Sequence, residues 1–134
     1  MSCDAARCSF FLADLQLDTV VDIGANRGQF ALCVRRLFPA AQIYSFEPLA
    51  RPAQAWRATF AGDARAVLFE TAVGEQAGTA EMHVARWDAS SSLLPIGQLQ
   101  NENFPLTEEA RRERVTTVLL TDKLGNAELR GRTL

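Results

Sequence analysis

The sequence predicts an α/β domain built on a parallel sheet, and three observations carry that expectation. Short β-branched runs alternate with stretches of helical period. The first strands and helices follow the order β-α-β-α-β, which requires parallel pairing through right-handed crossovers. The length of 134 residues suits a single domain, 1–134, large enough to bury a core. A composition of 48% hydrophobic and 22% charged residues excludes a disordered or collagen-like chain.

The elements follow in order. Cys8, Phe11, Leu12 and Leu15 recur at i, i+3, i+4 and i+7, which predicts an N-terminal helix within 1–18, ending near Asp18. Thr19 to Ile23, closed by Gly24, reads as a buried strand. From Gly28 on, Phe30, Ala31, Val34, Leu37 and Phe38 keep helical spacing until Pro39 stops it. Gln42 to Phe46 is a second strand, ended by Glu47-Pro48. Pro52 opens a helix through Trp56 to Phe60, Gly62-Asp63 turns the chain, and Ala66 to Phe69 is the third strand. A turn at Gly74–Gly78 leads into an extended segment to Val84. Residues 86–107 lack a period and carry Ser90-Ser91-Ser92, which predicts an irregular loop. Val115 to Leu120 is a further strand, and Asp122 to Leu129 begins a short helix.

Charge and cysteine usage narrow the function classes. Fourteen basic against sixteen acidic residues leave no electrostatic footprint for nucleic acid. No apolar run approaches the ~20 residues of a membrane span, and Asp4 and Asp14 interrupt the N-terminal apolar stretch, so neither a membrane partner nor a signal peptide is expected. Cys3, Cys8 and Cys33 make an odd number, which suits reduced thiols and a cytoplasmic location. His83 is the only histidine, so no metal site is expected.

The chemistry concentrates between the first strand and the next helix, in Asp22-Ile23-Gly24-Ala25-Asn26-Arg27-Gly28. Gly24 and Gly28 allow positive φ and close approach of a ligand to the backbone, and Asn26 is the non-glycine residue that best tolerates such a turn. The dinucleotide pattern G-x-G-x-x-G fits poorly, since two of its three glycines are missing. The pattern acidic-x-Gly-x-Gly-x-Gly fits as Asp22, Gly24, Asn26 and Gly28, with one glycine replaced. Its ligand, S-adenosylmethionine, offers an ammonium to Asp22, whereas a phosphate would be repelled. Glu47 at the end of the second strand stands where a carboxylate grips both ribose hydroxyls. Glu70, at the end of the third strand, borders a base or is a solvated carboxylate. His83, Trp56 and Trp87 read as packing residues, and the serine triplet as loop polarity.

The same residues resemble a known family. Val20 to Phe30 is similar to the first motif of the FkbM-type S-adenosylmethionine-dependent methyltransferases, and Tyr44-Ser45-Phe46-Glu47-Pro48 to their second-strand motif. Ala72-Val73-Gly74, Ser91-Ser92-Leu93 and Val115 to Leu124 resemble later segments. The resemblance implies a Rossmann-like class I methyltransferase fold, a parallel sheet with helices on both faces. It implies methyl transfer to a hydroxyl of a small molecule or glycan. By position, Gly24, Ala25, Asn26 and Gly28 would line the methionine end, Asp22 would orient its amino group, and Glu47 with Pro48 would hold the ribose. Glu70, Ala72 and Val73 would border the adenine. No residue is named as a catalytic base. Family members continue into further strands, so this chain is expected to be an N-terminal part, with the other edge of the first strand unpaired and apolar. A homodimer completing the sheet is the alternative. An NAD-type oxidoreductase domain and a noncatalytic interaction domain remain competing readings.

Overall fold

The computed structural model describes residues 15–85, 109–125, 128–129 and 131–134. Three parallel strands, β1 (Thr19–Ile23), β2 (Gln42–Phe46) and β3 (Ala66–Phe69), form one sheet in the order β1-β2-β3. Two helices make the crossovers, α1 (Gln29–Leu37) and α2 (Ala50–Thr59). The architecture is α/β with a parallel three-stranded sheet, compatible with a Rossmann-like fold.

Strand alternation decides where the core lies. Val20, Ile43, Ala66 and Leu68 fall on one face of the sheet. Ala31 and Val34 of α1, Trp56 of α2 and Phe60, which caps α2, close over that face. Val20, Val34 and Ile43 are fully buried, each stabilising the fold by roughly 1.5–3 kcal/mol. Trp56 stacks obliquely on Phe60 with ring centroids 4.5 Å apart. Among the described residues, α1 and α2 share one face. The opposite face carries Val21, Tyr44, Val67 and Phe69, all half-buried, and Ile23, which is 55% exposed. The physical reason is that successive right-handed crossovers progressing in one direction lay their helices on the same side.

The outer edge of β1 is not left bare, contrary to expectation. Residues 132–134 run beside it in parallel: the Asp18 and Thr19 amides donate to the Arg132 carbonyl, the Val21 amide donates to the Leu134 carbonyl at 2.8 Å, and the Leu134 amide donates to the Thr19 carbonyl. The Arg132 amide also donates to Asp18 Oδ2 at 3.0 Å. Gly131 permits this clasp, because it holds φ at +68° and a Cβ there would collide with the Asp18 carboxylate.

A second sheet, in the order β4-β6-β5, follows in the chain. Its strands are β4 (Ala72–Val73), β5 (Gly78–Ala85) and β6 (Glu109–Val118), with β5 antiparallel and β4 parallel to β6. Leu49, Ala72, Val84 and Val115 form its core, and His83 is buried. The predicted strand at Val115 starts earlier, at Glu109, because its pairing with β5 overrides local polarity. The helix expected from Asp122 is one turn, α3 (Leu120–Lys123). The helix expected to reach Asp18 does not: Leu15–Leu17 have no regular structure and Asp18 is a bend, bonded instead to the 131–134 segment. Its earlier part, the loop at 86–107, the serine triplet and Trp87 lie outside the described residues.

Candidate functional site

Asp22, Gly24, Ala25, Asn26, Gly28, Glu47 and Pro48 come together where the carboxyl ends of β1 and β2 meet α1, the place where open parallel sheets bind ligands. The turn after β1 is pinned to β2, since the Gly24 and Ala25 amides both donate to the Phe46 carbonyl, at 2.9 and 3.0 Å. Gly24, Asn26 and Gly28 all hold positive φ, so the turn needs the residue types read from the sequence.

The two glycines serve different ends. A Cβ on Gly24 would meet nothing within 4 Å, so its flank is open to a ligand. A Cβ on Gly28 would come within 2.8 Å of Phe60 and 2.9 Å of Trp56. Gly28 thus lets α2 pack against the start of α1. It is also the N-cap of α1, which has no side-chain cap and no acidic residue in its first turn, leaving that end electropositive.

Glu47 ties the site together. It is 5% exposed, its Oε2 accepts from the Asn26 amide at 2.9 Å, and its Oε1 accepts from the Leu49 amide at 2.9 Å. A carboxylate oxygen carries two lone pairs and can accept from more than one donor. Asp22 lies one strand away and is 8% exposed; its Oδ2 is buried without a hydrogen-bond partner. Burial, and then the nearby charge of Glu47, push the Asp22 carboxyl up to about 6.

Two residues join the site that the sequence reading passed over as ligand neighbours. Ser45 is the register partner of Asp22 on β2, fully buried with an unpartnered Oγ, and Trp56 keeps an unpartnered Nε1 beside Gly28. A serine in the middle of the apolar run Gln42–Phe46 was the available signal for the first. Asn26 Oδ1 is likewise buried and unpartnered. These orphaned polar atoms gather about the turn after β1, each desolvated at a cost of about 1–3 kcal/mol unless a ligand or water meets it.

The remaining expected residues have contacts of their own. Glu70 is exposed at the end of β3 and pairs with Arg57 of α2 at 2.7 Å. Ala72 packs on Leu49 in the second core, and Val73 pairs with Val118. A cleft of about 310 Å³ runs past Phe69, Glu70, Thr71 and Lys123. Among the described residues, no group of three or more His, Cys, Asp or Glu could hold a metal ion, and no helix is long and apolar enough to cross a membrane.

No protein-family model matches the chain. Over 106 residues the sequence is 33% identical to the 2-O-methyltransferase NoeI of Sinorhizobium fredii (strain NBRC 101917 / NGR234), covering 69% of this chain and 44% of that protein. That similarity supports a methyltransferase family. The chain spans less than half the length of this relative.

Proposed function

We propose that the chain forms the nucleoside-binding part of an S-adenosylmethionine-dependent methyltransferase of the FkbM type, acting in the cytoplasm on a hydroxyl of a small molecule or glycan. One observation carries the reading: the Glu47 carboxylate and the glycine turn are joined directly, Oε2 to the Asn26 amide at 2.9 Å. A ribose-gripping acid and a backbone cradle in one place suit a nucleoside. The residues also fit this particular cofactor. The orphaned Asp22 Oδ2 and the open flank of Gly24 match a cationic ligand that lies close to the backbone.

When bound, S-adenosylmethionine supplies an electrophilic sulfonium methyl group. Asp22 would face the ammonium, the uncapped start of α1 would face the carboxylate, and the remaining lone pairs of Glu47 would accept from the ribose hydroxyls. Transfer to a hydroxyl oxygen agrees with the O-methyltransferase name of the relative.

The test is calorimetric titration of the folded chain with S-adenosylhomocysteine. Saturable binding, weakened by both Glu47→Ala and Gly24→Val, is expected. A folded protein that takes up no such ligand overturns the reading.

A further inference from the structure

We propose that Leu49 is a positioning residue that couples the second sheet to the Glu47 carboxylate, so that the grip on ribose depends on the packing of β4, β5 and β6. The proposal rests on the nucleoside reading of the site and adds what controls it.

Leu49 is engaged in three directions at once. Its amide donates to Glu47 Oε1 at 2.9 Å. Its carbonyl accepts from the Ala53 amide at 3.0 Å, as befits the N-cap of α2. Its side chain, 2% exposed, is buried among Ala72, Val84 and Val115. Those residues belong to β4, β5 and β6 respectively, so the seat of this one side chain has a wall from every strand of the second sheet.

The coupling follows from covalent geometry. The amide nitrogen and the Cβ of Leu49 are bonded to one Cα, and the Pro48–Leu49 peptide is planar, so the side chain cannot shift in its seat without carrying the amide. The Glu47 main chain is fixed separately, because its own amide donates to the Phe69 carbonyl at 3.0 Å. What Leu49 adds is the orientation of the carboxylate. Glu47 Oε2 is held from the other side by the Asn26 amide at 2.9 Å. The carboxylate is thus set at two points, one governed by the turn after β1 and one by the second sheet. A bidentate grip on neighbouring hydroxyls needs both oxygens correctly aimed, since hydrogen bonds weaken steeply as their angles are lost. Loosening the Leu49 seat leaves a cavity that its neighbours fill only in part, and recognition of the ribose hydroxyls should suffer in particular.

The experiment measures, by calorimetry on the folded chain, the ratio of affinities for S-adenosylhomocysteine and its 2′-deoxy analogue. The unsubstituted chain should prefer the ribose form by about tenfold. Leu49→Ala, and Val84→Ala on β5, should each cut that ratio by about threefold or more. Leu49→Met, which keeps the side-chain volume, should retain it. Val34→Ala truncates the first core instead, and should lower the melting temperature with the ratio unchanged. Circular dichroism verifies the fold of each variant, and Val84→Ala decides if Leu49→Ala does not fold. A ratio unchanged in Val84→Ala, or lowered equally by Val34→Ala, overturns the proposal while the nucleoside reading stands. No preference for the ribose form in the unsubstituted chain, or no binding of either ligand, overturns both.

Discussion

Glu47 accepts a hydrogen bond from the backbone amide of Asn26, 21 residues earlier, at 2.9 Å. A side chain at the end of one strand thereby fixes the shape of the turn that follows its neighbour. Substitution should reveal both duties at once. Glu47→Gln places an amide group against one of the two backbone donors, and should lower stability by about 1–3 kcal/mol in urea denaturation. The same variant should lose at least tenfold in affinity for S-adenosylhomocysteine.

Asp22 is expected to weaken the ligand-free fold at neutral pH. Its carboxyl rises from 3.8 to about 6 on folding, so the native state binds the proton more tightly than the unfolded chain. Stability from this group is then greatest below 3.8, falls as pH climbs toward 6, and stays reduced above it. Asp22→Asn should stabilise the protein by about 2–3 kcal/mol at pH 7.5 and much less at pH 4. Denaturation midpoints that differ equally at the two pH values would contradict this.

The two glycines of the turn should respond differently to alanine. Gly28→Ala forces a methyl group onto Trp56 and Phe60 while φ is +88°, and should cost about 2–4 kcal/mol with altered tryptophan emission. Gly24→Ala meets open space and should cost about 1–2 kcal/mol through its φ of +80° alone. Its main effect should be on ligand affinity.

Arg35 holds two loops together at one corner. Its guanidinium donates to Asp63 and to the Phe38, Pro39 and Ala41 carbonyls, the last at 2.6 Å. Burial alone would raise the Asp63 carboxyl, but hydrogen bonds and charge from Arg35 and Arg65 hold it below its ordinary 3.8. A lowered carboxyl stabilises the fold above the unfolded value, and that contribution is lost as pH falls through the native one. Arg35→Ala should therefore cost about 1–3 kcal/mol at neutral pH and show less further loss on acidification in a pH-resolved melt.

What the sequence revealed and what it hid follow from the range of the interactions. β1, α1, β2, α2 and β3 could be read off because period and punctuation are local signals, and the carboxylate at the end of β2 lies at a spacing that such a sheet imposes. Other features depend on distant partners. Nothing near Gly28 announces that Trp56 and Phe60 fill the space beside it, and nothing near Glu70 announces Arg57. The β5–β6 register and the pairing of 132–134 with β1 are likewise contacts between segments far apart in the chain. Ser45 was visible as a polar residue in an apolar strand, yet its place beside Asp22 required the register.

The clasp between Asp18 and Arg132 joins positions 114 residues apart, and it bears on how the protein comes into being. On the ribosome, β1 emerges early, but hydrogen bonds along its outer flank must wait for a segment made more than a hundred residues later. Closing so large a loop is entropically slow, so this pairing belongs after the main folding barrier. Weakening it should hasten unfolding and leave the refolding rate almost unchanged.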